Sequence, residues 1–143
     1  MVDADQFGPL DVAVLVFEDG ALHSDLAPAL LDLHHSGVVH VLDDALVRRA
    51  ADGTVSVEEL LESEVAGAFA PLDSDHLDLL SEDDLAEVAA TLAPGSAALV
   101  LVWENTWAAR IDAAVRASGG QVREFLRIPH DTVLASLAAL DEE

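Results

Sequence analysis

The chain contains no cysteine among its 143 residues. That excludes a disulfide scaffold, a thiolate metal site and cysteine nucleophilic chemistry. It also contains no lysine, so all six basic residues are arginine, against 28 acids and a formal net charge of −22. Such a surface repels nucleic-acid phosphates and anionic lipid, and neither class of partner is expected. No long hydrophobic run exists. The longest charge-free stretch, Val88 to Trp103, is broken by Pro94-Gly95 and is too short to span a bilayer. The first residues carry Asp3 and Asp5 and no basic segment, unlike a signal peptide, so a cytoplasmic location is expected. Absent too are G-x-S-x-G, the P-loop and G-x-G-x-x-G, which excludes those hydrolase and nucleotide fingerprints.

What is present is apolar: 52% of the residues, with a mean hydropathy of +0.34. A chain of this length can bury a core without metal or disulfide, and its size predicts a single domain over 1–143. Residues 1–8 read as a flexible N-terminus, 61–80 as an irregular insertion, and 130–143 as a C-terminal helix with an acidic tail.

Leu10–Phe17 and Ala97–Trp103 are apolar at almost every position, the mark of strands covered on both faces. Ser24 or Asp25 is placed to cap a helix carrying Leu26, Leu30 and Leu33, and Gly37 to end it. Val38–Arg49 and Thr54–Leu60 form a hairpin around Asp52-Gly53. Ser81-Glu82-Asp83-Asp84 reads as a capping box opening a helix with Leu85, Val88, Ala89 and Leu92 on one face. Asn105 or Thr106 caps the next helix, ended by Gly119-Gly120. A strand with interleaved charges, Val122–Ile128, suits a sheet edge. Pro129 then opens the last helix.

The expected fold is therefore α+β: a ferredoxin-like split βαβ sandwich extended by a C-terminal α-β-α unit, with a five-stranded mixed sheet. In its usual order Leu10–Phe17 is central, between Thr54–Leu60 and Ala97–Trp103. Ferredoxin-like helices cover one face only. The second face then needs the 61–80 segment, the C-terminal helix or another copy of the chain, and exposed apolar patches commonly mark an interface.

Chemistry-bearing patterns are sparse. No histidine pair has metal-ligand spacing, and Asp73-Ser74-Asp75-His76-Leu77-Asp78 departs from a calcium loop at Leu77 and at Asp78. No metal and no cofactor is expected. The most distinctive string is Trp103-Glu104-Asn105-Thr106-Trp107, followed by Arg110. A strand end opening into a helix suits an anion or polar ligand, with Glu104, Asn105 and Arg110 as polar contacts and Trp103 and Trp107 as a stacking wall. The alternative is structural, with Trp103 in the core and Trp107 stapling helix to sheet. Charge is lopsided as well. Eleven acids and no arginine lie from Glu58 to Glu87, whereas four of the six arginines lie from Arg110 to Arg127.

Four stretches carry a likeness: Phe7-Gly8-Pro9-Leu10-Asp11, Asp52-Gly53-Thr54-Val55, Pro94-Gly95-Ser96, and above all Leu101-Val102-Trp103-Glu104-Asn105-Thr106-Trp107-Ala108. They resemble an uncharacterised, mainly actinobacterial family catalogued as Domain of Unknown Function family 6325. More distantly, the chain is similar to predicted membrane proteins that insert a glycine-rich hydrophobic hairpin after the third strand. Here Gly67 is the only glycine of Leu60–Leu80, so their membrane role does not carry over. The resemblance implies a soluble ferredoxin-like protein and supplies no activity. Two functional readings follow. The first is a non-enzymatic homo-oligomer, regulatory or stress-related, acting through protein–protein contacts with itself or an unidentified partner. The second is a small-molecule binder or small enzyme with its pocket at Trp103–Arg110.

Overall fold

The computed structural model describes residues 8–21, 25–72, 77–124 and 126–141. The expected flexible segment 1–8 thus lies, apart from Gly8, outside the described residues, as do Ser24, residues 73–76, Phe125 and the last two acids. The chain divides into two compact units, Met1–Ile111 and Asp112–Glu143.

The first unit holds a four-stranded sheet. Its strands are β1 (Leu10–Phe17), β2 (His40–Arg49), β3 (Val55–Glu58) and β4 (Ala97–Glu104), in the order β1-β4-β2-β3. Every neighbouring pair is antiparallel. The α+β class therefore stands, but two expectations are corrected. Leu10–Phe17 is an edge strand, not the central one. The sheet has four strands, because Val122–Ile128 forms none among its described residues and finds no ladder partner. The ordering has a physical reason. β2 and β4 bury both faces, including the run Val41–Val47 and all of Ala97–Val102. Those two strands take the centre, and β1 and β3 take the edges.

Helix α1 (Leu26–His35) ends as its glycine suggests. Gly37 adopts φ +77°, and Val38 N–H bonds Leu33 O at 3.1 Å. Asp25 makes no side-chain cap, however. The β2–β3 hairpin closes at Ala50–Thr54, with Gly53 at φ +90° and Ala50 N–H bonded to Thr54 O. In β3, Val55 and Val57 are both exposed. Of the 61–80 segment expected to be irregular, the part up to Leu72 forms, together with Leu60, two short 3₁₀ turns around the four-residue helix α2 (Ala66–Phe69). Helix α3 (Glu82–Thr91) opens with the full capping box, Ser81 Oγ accepting from Asp84 N–H and Asp84 accepting from Ser81 N–H.

Helices cover both faces of the sheet, which corrects the one-sided arrangement. On the inner face, Leu15, Val41, Leu46, Leu99 and Leu101 pack with Ala27 and Leu30 of α1 and with Leu60, Phe69 and Leu72. On the outer face, Val47, Ala98 and Val100 pack with Ala89 and Leu92, aided by Leu80, Leu85 and Val88. The layer left incomplete is the outer face of β1.

β2 carries an irregularity that organises both layers. Its register against β4 shifts between Val41 and Asp43, leaving Leu42 as a bulge. Asp43 and Asp44 are both buried and sit on opposite faces. Asp44 accepts from Leu60 N–H at 2.8 Å and so pins the inner cover. Asp43 accepts from Leu79 and Leu80 N–H at 2.9 and 3.0 Å and so pins the lead-in to α3. Leu77 N–H reaches Leu42 O at 2.9 Å. The left-handed Asp78 (φ +56°) folds the intervening turn tightly enough for three N–H groups to face one strand.

The division into units falls within α4 (Thr106–Ala117). In the second unit, α4 closes with Gly119 at φ +83° and Gly120 N–H on Val115 O. Residues 121–124 and 126–129 have no regular structure, and α5 (His130–Asp141) follows Pro129 as expected. Its Val133, Leu134, Leu137 and Leu140 are exposed.

Candidate functional site

The distinctive tryptophan string lies where β4 turns into α4, and most of its polar groups bind the chain's own backbone. Strand alternation puts Trp103 on the inner face, against the main core, and Glu104 on the outer one. Glu104 is buried and accepts from Gly8 N–H at 2.6 Å. Asn105 does not act as a simple cap. Its N–H and its amide both donate to Pro9 O, and the amide also donates to Asp11 at 3.0 Å. Thr106 Oγ1 donates to Gly37 O. Trp107 is exposed, and Arg110 lies beside Gly37. Trp103 and Glu104 are thus separated by the sheet, while Glu104 and Asn105 are brought together on the lead-in to β1.

This latch explains why the first and last of the four family-like stretches go together. Gly8-Pro9-Leu10-Asp11 is the segment that Glu104 and Asn105 hold. A Cβ on Gly8 would meet Asn105 O at 2.6 Å, so only glycine fits the approach. The turn at Pro94-Gly95-Ser96 does comparable work at the other end of the sheet. Gly95 N–H bonds Arg49 O at 2.7 Å, and a Cβ on Gly20 would meet Gly95 O at 2.4 Å.

The carboxylate pairs are structural in the same sense. Asp43 and Asp44 are occupied by backbone N–H groups, and Arg48 joins Glu58 at 2.8 Å and also Glu64. The Glu64 carboxyl is held below the usual range, first by its backbone hydrogen bond and then by Arg48. Among the described residues, no group of three or more His, Asp or Glu is arranged to hold a metal ion, and no helix is long and apolar enough to cross a membrane.

An open surface lies instead on the outer side of β1. Its residues alternate outward and inward along the strand, and the outward set is Leu10, Val12, Val14 and Val16. Val12 remains 63% exposed, Val14 45% and Val16 53%. Each stands beside a buried residue of β4: Val12 by Val102, Val14 by Val100, Val16 by Ala98. Helix α3 packs on Ala98 and Val100 and stops short of β1. Between α3 and β1 runs a groove of about 630 Å³ with Val100 and Val102 on its floor, Val12 and Val14 on one side, and Leu85 and Val88 on the other. The β1 part of this surface was legible as an unbroken apolar strand. The α3 wall was not, because nothing local says which face a distant helix covers.

Residues 6–143 match the pattern of a family of unknown function, DUF6325. No curated protein and no solved structure matches the chain.

Proposed function

We propose that this chain, which belongs to the family of unknown function DUF6325 and so has no activity to inherit from it, works as a non-enzymatic contact protein that assembles with copies of itself through β1. The observation that carries the reading is a strand with one ladder partner and an exposed apolar row. β1 pairs only with β4 in the described sheet, so the backbone N–H and C=O groups of every second residue along its eight face the other edge. Edge strands usually carry a lysine, a proline or a bulge that blocks pairing. Val12–Phe17 carries none of these and no charge.

Pairing edge to edge fits better than stacking face to face, because α3 already stands above the outer face and would hold a second sheet away. Antiparallel pairing of β1 with its copy sets one valine row beside the other, and such cross-strand apolar pairs each contribute about 0.2–1 kcal/mol. An interface confined to one strand pair is small, under about 1,200 Å², and therefore concentration-dependent. Two copies of net charge −22 repel, so salt should strengthen the assembly.

Native mass spectrometry and light scattering across a concentration series test this reading. The expected result is a discrete multiple of 15.0 kDa that grows with protein concentration and with salt. It should disappear in Val16→Asp, which places an acid in the row. A wild-type chain that stays monomeric throughout, or a Val16→Asp chain of unchanged oligomeric mass, overturns it.

A further inference from the structure

We infer that the groove between β1 and α3 binds a hydrophobic cation, a small molecule with an extended apolar body and an amine or quaternary ammonium head. Its volume, about 630 Å³, falls within the range of about 300–1,000 Å³ that small-molecule sites occupy. Nine of its twelve lining residues are Leu or Val, and the remaining three are Asp84, Glu87 and Thr91. The lining thus offers an apolar body a long contact and gives the rest of the molecule two carboxylates.

Charge selects the head group. Asp84 and Glu87 are three residues apart on α3 and so share one side of the helix. No arginine lines the groove. A fatty-acid carboxylate would face two acids with no counter-charge, whereas an ammonium would be neutralised. No aromatic ring lines the groove either, so the head is recognised by carboxylate pairing and not by a cation–π cage. Asp84 is partly engaged, since it accepts from Ser81 N–H at 3.1 Å. Glu87 is therefore the residue assigned to the head.

The groove is built within one chain and does not depend on the self-association proposed above. Val12 lines it and Val16 does not, so the two ideas fail separately.

The test is calorimetric titration of the full chain with decyltrimethylammonium below its micelle-forming concentration, compared with decyl sulfate and with uncharged decyl maltoside. The expected result is one saturable site per chain for the cation, weaker binding of the maltoside and none of the sulfate. Val12→Asn should weaken the cation about tenfold by placing an amide against the alkyl chain. Glu87→Gln, a conservative change on an exposed helix surface, should weaken the cation about threefold and leave the maltoside unchanged. Val16→Asp should bind as the wild type does. Sulfate binding as tight as the cation's overturns the assignment. So does a set of many weak cation sites indifferent to Val12→Asn and Glu87→Gln, which is the signature of general surface charge.

Discussion

β1 and β4 read almost alike, Leu-Asp-Val-Ala-Val-Leu-Val-Phe against Ala-Ala-Leu-Val-Leu-Val-Trp-Glu, yet they meet different surroundings. β4 has a strand on each side and a helical layer on each face, and its residues from Ala97 to Val102 are buried. β1 has one neighbouring strand and one covered face, and every second residue is exposed. Apolarity in β4 is what the core requires. The same apolarity in β1 exceeds what the folded chain uses, because an ordinary edge strand would alternate with polar residues. The excess is the feature on which the proposed assembly through β1 rests.

Several measurements would break or sharpen that contrast. The largest effect is expected in β4, where Leu101→Ala leaves a cavity in the inner core and should cost about 2–5 kcal/mol in chemical denaturation. The comparable truncation Val12→Ala in β1 should cost under about 1 kcal/mol. Similar losses at the two positions would erase the distinction.

Asp43→Ala comes next, at about 2–3 kcal/mol, because the N–H groups of Asp44, Leu79 and Leu80 lose their carboxyl acceptor. It should also loosen the lead-in to α3, so hydrogen exchange at Val100 and Val102 should speed up and make the outer face of β4 behave more like that of β1. Ser81→Ala removes the cap of the same helix and should cost about 1 kcal/mol. Exchange at Val100 unchanged in both variants would mean that α3 is not what protects β4.

The smallest effect is a control remote from either strand. Asp52 accepts hydrogen bonds from the backbone N–H and then the hydroxyl of Thr54, and these hold its carboxyl below the usual range. A lowered pKa stabilises the fold above the ordinary carboxylate value of about 3.9, and the gain fades as pH falls through the lowered one. Asp52→Asn should therefore slightly flatten the loss of stability on acidification, and carboxyl NMR should show Asp52 titrating below its neighbours. An ordinary titration there would remove the hydrogen bond from the account of the hairpin.

Much of this molecule was legible in its residues. Capping signals located α3 and the ends of α1 and α4, and Asp52-Gly53 located the hairpin. Strand order was not legible, because an unbroken apolar strand looks the same whether it is central or left open for a partner. The Asp43–Asp44 pair was equally hidden, since 28 acids supply neighbours by chance and the bulge at Leu42, which decides which face each acid takes, is not marked by any local signal. In the Trp103–Arg110 string, Glu104, Asn105 and Thr106 are engaged with the chain's own backbone. Glu104 and Asn105 hold the lead-in to β1 and Thr106 bonds Gly37 ahead of β2, all at one end of the sheet. Leu10–Phe17 was visible as an apolar strand in need of cover, but not which of its residues face outward, and the α3 wall that turns the Val12–Val14 row into a groove comes from a segment some seventy residues later.

That long separation also governs how the chain is made. Leu10 pairs with Glu104 and Phe17 with Ala97, so β1 leaves the ribosome well before the strand it joins. At translation rates of about 5–20 residues per second, its valines wait between about 4 and 19 seconds for their partner. Through that interval β1 is a bare strand on a nascent chain, open to any neighbouring copy. The excess of acids, a net charge of −22 over the whole chain, makes neighbouring copies repel one another.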